Sequence, residues 1–228
     1  MTATWPRAVV FDLDGTLVDS APDIALALNT ALQPFSPVQF GSADVVKLIG
    51  GGAMAAIDKA LVAASLDADS ATRREILRTF MVAYKDVSAQ GRGLFPGAQE
   101  LLGGLNEGGT ACGICTNKAE DVATVALKAL RIDHHFRSVV GASERLAKKP
   151  DAAMLLHNMF ELGVKPEHTV MIGDSPADYG VARAAGVPVI LVDFGYTHTP
   201  VSELGADAIV SHLSEIPKAL AAIGARTA

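Results

Sequence analysis

The chain has 228 residues, half of them apolar and 19% charged, with 25 acidic against 19 basic side chains and a formal net charge of -6. That length fits one large domain or a core carrying an insertion, and the apolar half excludes intrinsic disorder. The acidic balance argues against a general affinity for nucleic acid or an anionic membrane. No apolar run approaches the ~20 residues of a bilayer span, and two cysteines make no disulfide framework. Asp12 and Asp14 arrive before an export-signal core could form, so the expectation is a cytoplasmic globular protein.

Along the chain, short β-branched runs alternate with longer Ala/Leu-rich stretches. Strands are expected at residues 8–11, 111–115, 138–140, 169–172 and 189–192, with a sixth at 208–210. They read as nearly continuous apolar segments, as parallel strands covered on both faces do. Helical patterns over 97–107, 119–130, 151–162 and 176–186 separate them, which makes a doubly wound α/β sheet. Between Leu17 and Gly93 there is no convincing strand. Ile24, Leu28, Ala31 and Leu32 follow a helical spacing that Ser20 and Asp23 open as a capping-box-like start, and further helices are expected at 43–49, 53–64 and 70–89. The turn-rich segment GRGLFPG at 91–97 reads as a hinge. The expected division is a core of residues 1–16 and 93–228 with a helical module of residues 17–92 inserted after the first strand.

The first strand runs into Asp12-Leu13-Asp14-Gly15-Thr16, and carboxylates at i and i+2 of an extended chain face one spot. Three more polar groups follow strands: Thr116-Asn117-Lys118, Lys148-Lys149-Pro150, and Gly173-Asp174-Ser175-Pro176-Ala177-Asp178. Ligands in open α/β sheets bind outside such carboxyl ends. Asp12, Asp14 and Asp174 would bring three negative charges into one crevice. Like charges ~4 Å apart repel by roughly 4 kcal/mol at an effective dielectric near 20, so the cluster needs a cation. A hard divalent ion suits these oxygen donors, and Mg²⁺ suits few carboxylates plus phosphate oxygens. Thr116 and a nearby lysine then offer a hydroxyl and a positive charge to a phosphoryl group. Taken singly, each acid also reads as a helix cap or a solvated turn residue.

Together DLDGT, TNK, KKP and GDSPAD, in this order, resemble the haloacid dehalogenase-like superfamily of phosphohydrolases, and the helical insertion resembles its C1-type cap. The segments DLDGTLVDSAPDIALALN, LIGGG, FPG, ICTNK and VMIGDSPADY are similar to those of bacterial phosphoglycolate phosphatases. The resemblance implies a Rossmannoid core and a Mg²⁺-dependent phosphatase acting on a small phosphorylated metabolite, 2-phosphoglycolate first, as a monomer or homodimer. It implies Asp12 as nucleophile and Asp14 as general acid–base. Asp12, the backbone carbonyl of Asp14 and Asp174 would hold the metal, with Asp178 in support. Thr116, Asn117 and Lys149 would bind the phosphoryl group, Lys148 being the rival for the lysine role. Gly51 and Gly52, in the Gly50–Gly52 loop, would meet the substrate. An acid at Asp14 favours phosphate esters over halide displacement or carbon–phosphorus cleavage. Asp151-Ala152 stands where the family commonly has a second proline, so an altered helix start is expected. A sugar-phosphate mutase, a phosphatase of nucleotides, pyrophosphate or amino-sugar phosphates, and a phospho-accepting regulatory module remain open.

Other patterns have bland readings. Cys112-Gly113-Ile114-Cys115 fits C-x-x-C but falls in a strand, which makes its thiols structural. Gly50-Gly51-Gly52-Ala53-Met54-Ala55 fits a dinucleotide fingerprint without the strand that should precede it. It reads as a helix–helix turn or an anion nest. His134 and His135 are expected to diverge in a solvated turn. Arg92, Lys47 and Lys59 are surface residues or a source of positive charge for the cap. The turn Gly195-Tyr196-Thr197-His198 is assigned no role.

Overall fold

The computed structural model describes residues 5–227; residues 1–4 of the N-terminal stretch read above for an export signal lie outside them. Six parallel strands form one sheet: β1 Ala8–Phe11, β2 Ala111–Ala119, β3 Phe136–Ala142, β4 Thr169–Gly173, β5 Val189–Val192 and β6 Ala208–Val210. Their order is β3-β2-β1-β4-β5-β6. The chain works outward from β1 through β2 to β3, then returns to the other side of β1 with β4, which puts the switch point beside β1.

Alternation along the strands splits the core. Val9 and Phe11 of β1 join Ile114, Ile172 and Ile190 on one face. Val10 joins Met171, Val189 and Leu191 on the other. The first face is covered by helices α5 (Ala98–Glu107), α6 (Glu120–Ala129) and α9 (Ile216–Thr227), the second by α7 (Ala153–Leu162) and α8 (Pro176–Ala185). All four residues of β1 are fully buried, and each large side chain so buried contributes about 1.5–3 kcal/mol. Burial on both faces is why these strands lack a polar alternation.

Residues between β1 and α5 form helices α1 (Ala21–Leu32), α2 (Ser42–Val46), α3 (Ala53–Ala63) and α4 (Ser70–Ser88). They build their own core from Leu28, Leu32, Ile57, Leu61, Ile76 and Phe80. Asn29 fastens the loop after α1 by donating to Phe40 O at 2.9 Å and accepting from Phe40 N at 2.8 Å. The two connecting segments run side by side: Asp19 N donates to Gly93 O at 2.6 Å and Phe95 N to Leu17 O at 2.9 Å. Among the described residues no helix is long and apolar enough to cross a membrane.

Several local expectations are corrected. Ser20 does not cap α1: its backbone is helical (φ -92, ψ -2) and its side chain makes no cap bond, whereas a capping residue is typically extended. Asp23 pairs with Arg92 at 3.1 Å instead. The second helix of the inserted segment is shorter than 43–49, β2 runs on through the Thr116-Asn117-Lys118 segment, and α9 follows the last strand with Ile216, Leu220 and Ile223 buried. The helix expected from residue 151 begins at Ala153, whose N–H donates to Asp151 Oδ1 at 2.8 Å. His134 and His135 do not diverge; their rings lie 4.1 Å apart, and His135 Nδ1 sits 2.9 Å from Asn106 Oδ1.

Candidate active site

Phe11 pairs in register with Ile114 on one side and Ile172 on the other, so the polar residues one or two positions further on lie level with one another at the same end of the sheet. Asp12, Thr116 and Asp174 therefore gather at the carboxyl end, all buried. They line a cavity of about 400 Å³, together with Asp14 and Lys149 from the sheet side and Gly50–Gly52 and Tyr84 from the helical module.

Lys149 is the centre of the charge arrangement. Its ammonium lies 2.9 Å from Asp12 Oδ1 and 2.6 Å from Asp178 Oδ1, with its side chain 2% exposed. Burial alone would lower its pKa, but Asp12 and Asp178 outweigh that and raise it, so the lysine stays charged. Lys148 is exposed at the rim, where a Cβ on Gly52 would lie 3.2 Å from its Nζ. Of the two rival lysines, Lys149 is the one against Asp12. Asn117 lines the cavity and also holds the Lys149 backbone, donating to its carbonyl at 3.1 Å and accepting from its amide at 3.0 Å.

Asp178 is fully occupied by the protein. Besides Lys149 on Oδ1, its Oδ2 accepts from Asp174 N, Ser175 N and Ser175 Oγ at 3.2, 3.1 and 2.6 Å. Ser175 in turn caps α8, accepting from Asp178 N. Asp174 is gripped by Tyr196 N at 2.6 Å and Thr16 Oγ1 at 3.2 Å. Two glycines let the chain close around it: a Cβ on Gly15 would fall 2.5 Å from Asp174 Oδ2, and one on Gly195 2.2 Å from Asp174 Cβ.

Carboxylate oxygens of Asp12, Asp174 and Asp178 lie within 4.8 Å of one another. Burial pushes Asp12 up to about 6, with Lys149 opposing and Asp178 and Asp14 adding to the rise. Burial, then Asp178 and Asp12, also raise Asp174 well above the usual carboxylate range. One lysine does not balance these acids, and hard oxygen donors short of positive charge fit a hard divalent cation. The carboxylate of Asp14 lies outside this cluster. It pairs with Lys118 Nζ at 2.9 Å, which leaves its backbone carbonyl as the atom expected at a metal.

Sequence reasoning missed two residues. Lys118 is buried against Asp14 and Tyr84. Its signal was available, because it stands two residues after Thr116 in an extended segment. Tyr196 holds Asp174 through a backbone amide, which no residue type advertises. Arg92, Lys47 and Lys59 do not line the cavity. Lys59 instead donates to Leu48 O at 3.3 Å and Ile49 O at 3.4 Å, below the glycine loop. All three loop glycines have positive φ, at 106°, 90° and 87°. Cys112 and Cys115 are free and buried on opposite faces of β2.

Residues 9–192 match the family described as haloacid dehalogenase-like hydrolase. The chain belongs to that family. Among its relatives in the haloacid dehalogenase-like hydrolases is the phosphoglycolate phosphatase of Rhodospirillum rubrum, 38% identical over 215 residues that cover 92% of this chain and 89% of the relative. The phosphoglycolate phosphatase of Caulobacter vibrioides is 38% identical over 213 residues, with the same two coverages, 92% and 89%. The fold is similar to the crystal structure of a predicted phosphoglycolate phosphatase from Haemophilus somnus, with a TM-score of 0.87 at 30% identity, covering 94% of this chain and 98% of that one.

Proposed function

We propose that this hydrolase is a Mg²⁺-dependent phosphatase of small phosphate monoesters, with 2-phosphoglycolate, split to glycolate and phosphate, as its preferred substrate. One observation carries the chemistry: Asp12 and Asp14, two residues apart, each have a separate buried lysine, Lys149 at 2.9 Å and Lys118 at 2.9 Å. Two carboxylates in different surroundings can take different roles at one pH. The names of the relatives from R. rubrum and C. vibrioides support the choice of substrate.

In this reading Asp12 attacks phosphorus, the bond from phosphorus to the ester oxygen breaks, and Asp14 delivers a proton to the departing alkoxide. Asp14 then takes a proton from water, which attacks the aspartyl-phosphate and frees Asp12 and phosphate. Thr116 and Lys149 bind the phosphoryl oxygens, and Lys149 offsets the charge that develops on them. Asp178 holds Lys149, and Asn117 holds the lysine's backbone. Asp12, Asp174 and the carbonyl of Asp14 would hold Mg²⁺, which when bound draws charge from the phosphoryl oxygens. Residues 17–92 act as a cap on a core of 1–16 and 93–228, and the Gly50–Gly52 loop, through Gly51 and Gly52, meets the substrate as the cap excludes water. The enzyme would work on a cytoplasmic pool of small metabolites, as a monomer or homodimer.

Phosphate release with Mg²⁺ tests the reading across 2-phosphoglycolate, glucose phosphates, a nucleoside monophosphate, pyrophosphate and an amino-sugar phosphate. Selective turnover of 2-phosphoglycolate, abolished by Asp12→Asn and by a chelator, is expected. Turnover of another ester would keep the mechanism and remove the substrate. Activity surviving Asp12→Asn would remove the mechanism.

A further inference from the structure

Lys118 has no part in the phosphoryl chemistry above, yet it is a buried cation on the wall of the cavity. Its side chain is 3% exposed, and its ammonium sits 2.9 Å from Asp14 Oδ1. Tyr84 of α4 covers it, with the hydroxyl in contact and the ring centroid 4.0 Å from Nζ. The acid Asp23 is engaged by Arg92 at 3.1 Å. Asp14 is thus the carboxylate in direct contact with Lys118, with Asp23 acting on the ammonium only at longer range.

That arrangement conflicts with a reaction in which Asp14 turns to the leaving oxygen, because the turn would strand a buried ammonium. Breaking a buried ion pair by removing one partner is strongly unfavourable. The conflict disappears if the substrate brings a replacement anion. In a 2-phosphoglycolate molecule the carboxylate carbon lies two bonds from the ester oxygen. When Asp14 is within hydrogen-bond reach of that oxygen, a cation already 2.9 Å from Asp14 is within reach of the carboxylate.

We propose that Lys118 is the specificity-determining cation of this site: it passes from Asp14 to the substrate's carboxylate, and so selects phosphate monoesters whose carboxylate is borne on the carbon carrying the ester oxygen. The proposal rests on the phosphatase reading. An ester without the carboxylate offers Lys118 no replacement anion, so Asp14 could turn to the leaving oxygen only by stranding a buried charge, and that penalty is the discrimination. Tyr84 provides a ring face and a hydroxyl that keep the ammonium in place during the exchange.

The test compares 2-phosphoglycolate with 2-hydroxyethyl phosphate, which has the same skeleton with a hydroxymethyl group in place of the carboxylate. The wild type should prefer the former in kcat/KM. Lys118→Gln should reduce that preference by about ten- to a hundredfold, the range for a lost hydrogen bond to a charged group. Taking the ratio removes any general loss of rate from an altered Asp14. If Lys118→Gln does not fold, Lys118→Arg keeps the charge, displaces its head group, and should lower the ratio several-fold. A ratio unchanged in the folded variant would overturn the proposal, since Lys118 would then serve Asp14 alone. A wild type that hydrolyses other esters and shows no preference for the carboxylate would instead remove the substrate reading, and this inference with it.

Discussion

The backbone amide of Tyr196 donates to Asp174 Oδ2 at 2.6 Å, while the hydroxyl of the same residue donates to Asp19 Oδ1 at 2.5 Å. That hydroxyl also accepts from Ala21 N at 3.0 Å, at the start of α1. One residue therefore ties an acid of the candidate metal cluster to the segment that leads into the helical module. Tyr196→Phe keeps the amide and deletes the tie. It should cost about 1 kcal/mol of stability and lower kcat/KM a few-fold, measured by urea unfolding and phosphate release.

Asp178 is expected to matter as much as residues that touch substrate. Its removal leaves Lys149 with one partner and strips the acceptor from two backbone amides and a hydroxyl. Asp178→Ala should destabilise the fold by about 3–5 kcal/mol and reduce turnover at least a hundredfold. Asp178→Asn should lose most of the activity too, because an amide group would face the ammonium. Denaturation midpoints and initial rates check both; near-wild-type turnover in either variant would contradict the organising role given to Asp178.

The acidic cluster gives the metal-free protein a definite pH dependence. Burial raises Asp12 from 3.8 to about 6, so the native state holds that proton more tightly than the unfolded chain. The contribution from Asp12 is complete below about pH 4 and declines as pH rises towards 6, by on the order of 3 kcal/mol. Asp174 shifts in the same direction. A cation that competes with those protons should therefore stabilise more at pH 7.5 than at pH 5. Thermal melts with Mg²⁺ and with a chelator, from pH 4.5 to 8, would show the gap in Tm widening with pH.

Gly93 has φ 83°, and a Cβ there would fall 2.4 Å from Asp19 O. Gly93→Ala adds a backbone clash to a left-handed conformation and should cost about 1–3 kcal/mol. Because it disturbs the paired connectors, turnover should fall along with stability. Gly52→Ala, at φ 87°, meets Lys148 Nζ at 3.2 Å and Asn117 O at 3.3 Å. Its expected effect is mainly on KM, read from saturation curves with 2-phosphoglycolate.

Burial pushes the thiols of Cys112 and Cys115 up to about 12. Neither should react with a thiol reagent in the native protein at pH 8, and both should react once it is unfolded. Absorbance titration with and without denaturant gives the count.

The sheet was legible because each strand is covered twice, which turns Ala8–Phe11 and Val189–Val192 into uninterrupted apolar runs. The positions of Asp12, Thr116 and Asp174 were legible too, since polar residues straight after such runs emerge at one edge of a parallel sheet. What stayed hidden depends on tertiary partners. Nothing local says that Asn117 spends its carboxamide on Lys149, or that Arg92 takes Asp23 away from a capping role. Ser20 failed as a cap for a similar reason: Tyr196, far along the chain, supplies the acceptor for Ala21 N and Ser20 keeps a helical backbone. Lys118 was visible as a residue but not as a buried charge, because its cover, Tyr84, comes from the inserted helices.

The side-by-side connectors at residues 17–19 and 93–95 have a consequence for how such a chain can change over time. The helical segment leaves and rejoins the sheet domain at neighbouring points, so its length and internal arrangement are decoupled from strand order. A longer, shorter or differently folded segment could be grafted between the same two points while β1 and β2 stay adjacent. The reacting groups would keep their places, and only the roof above them would be exchanged.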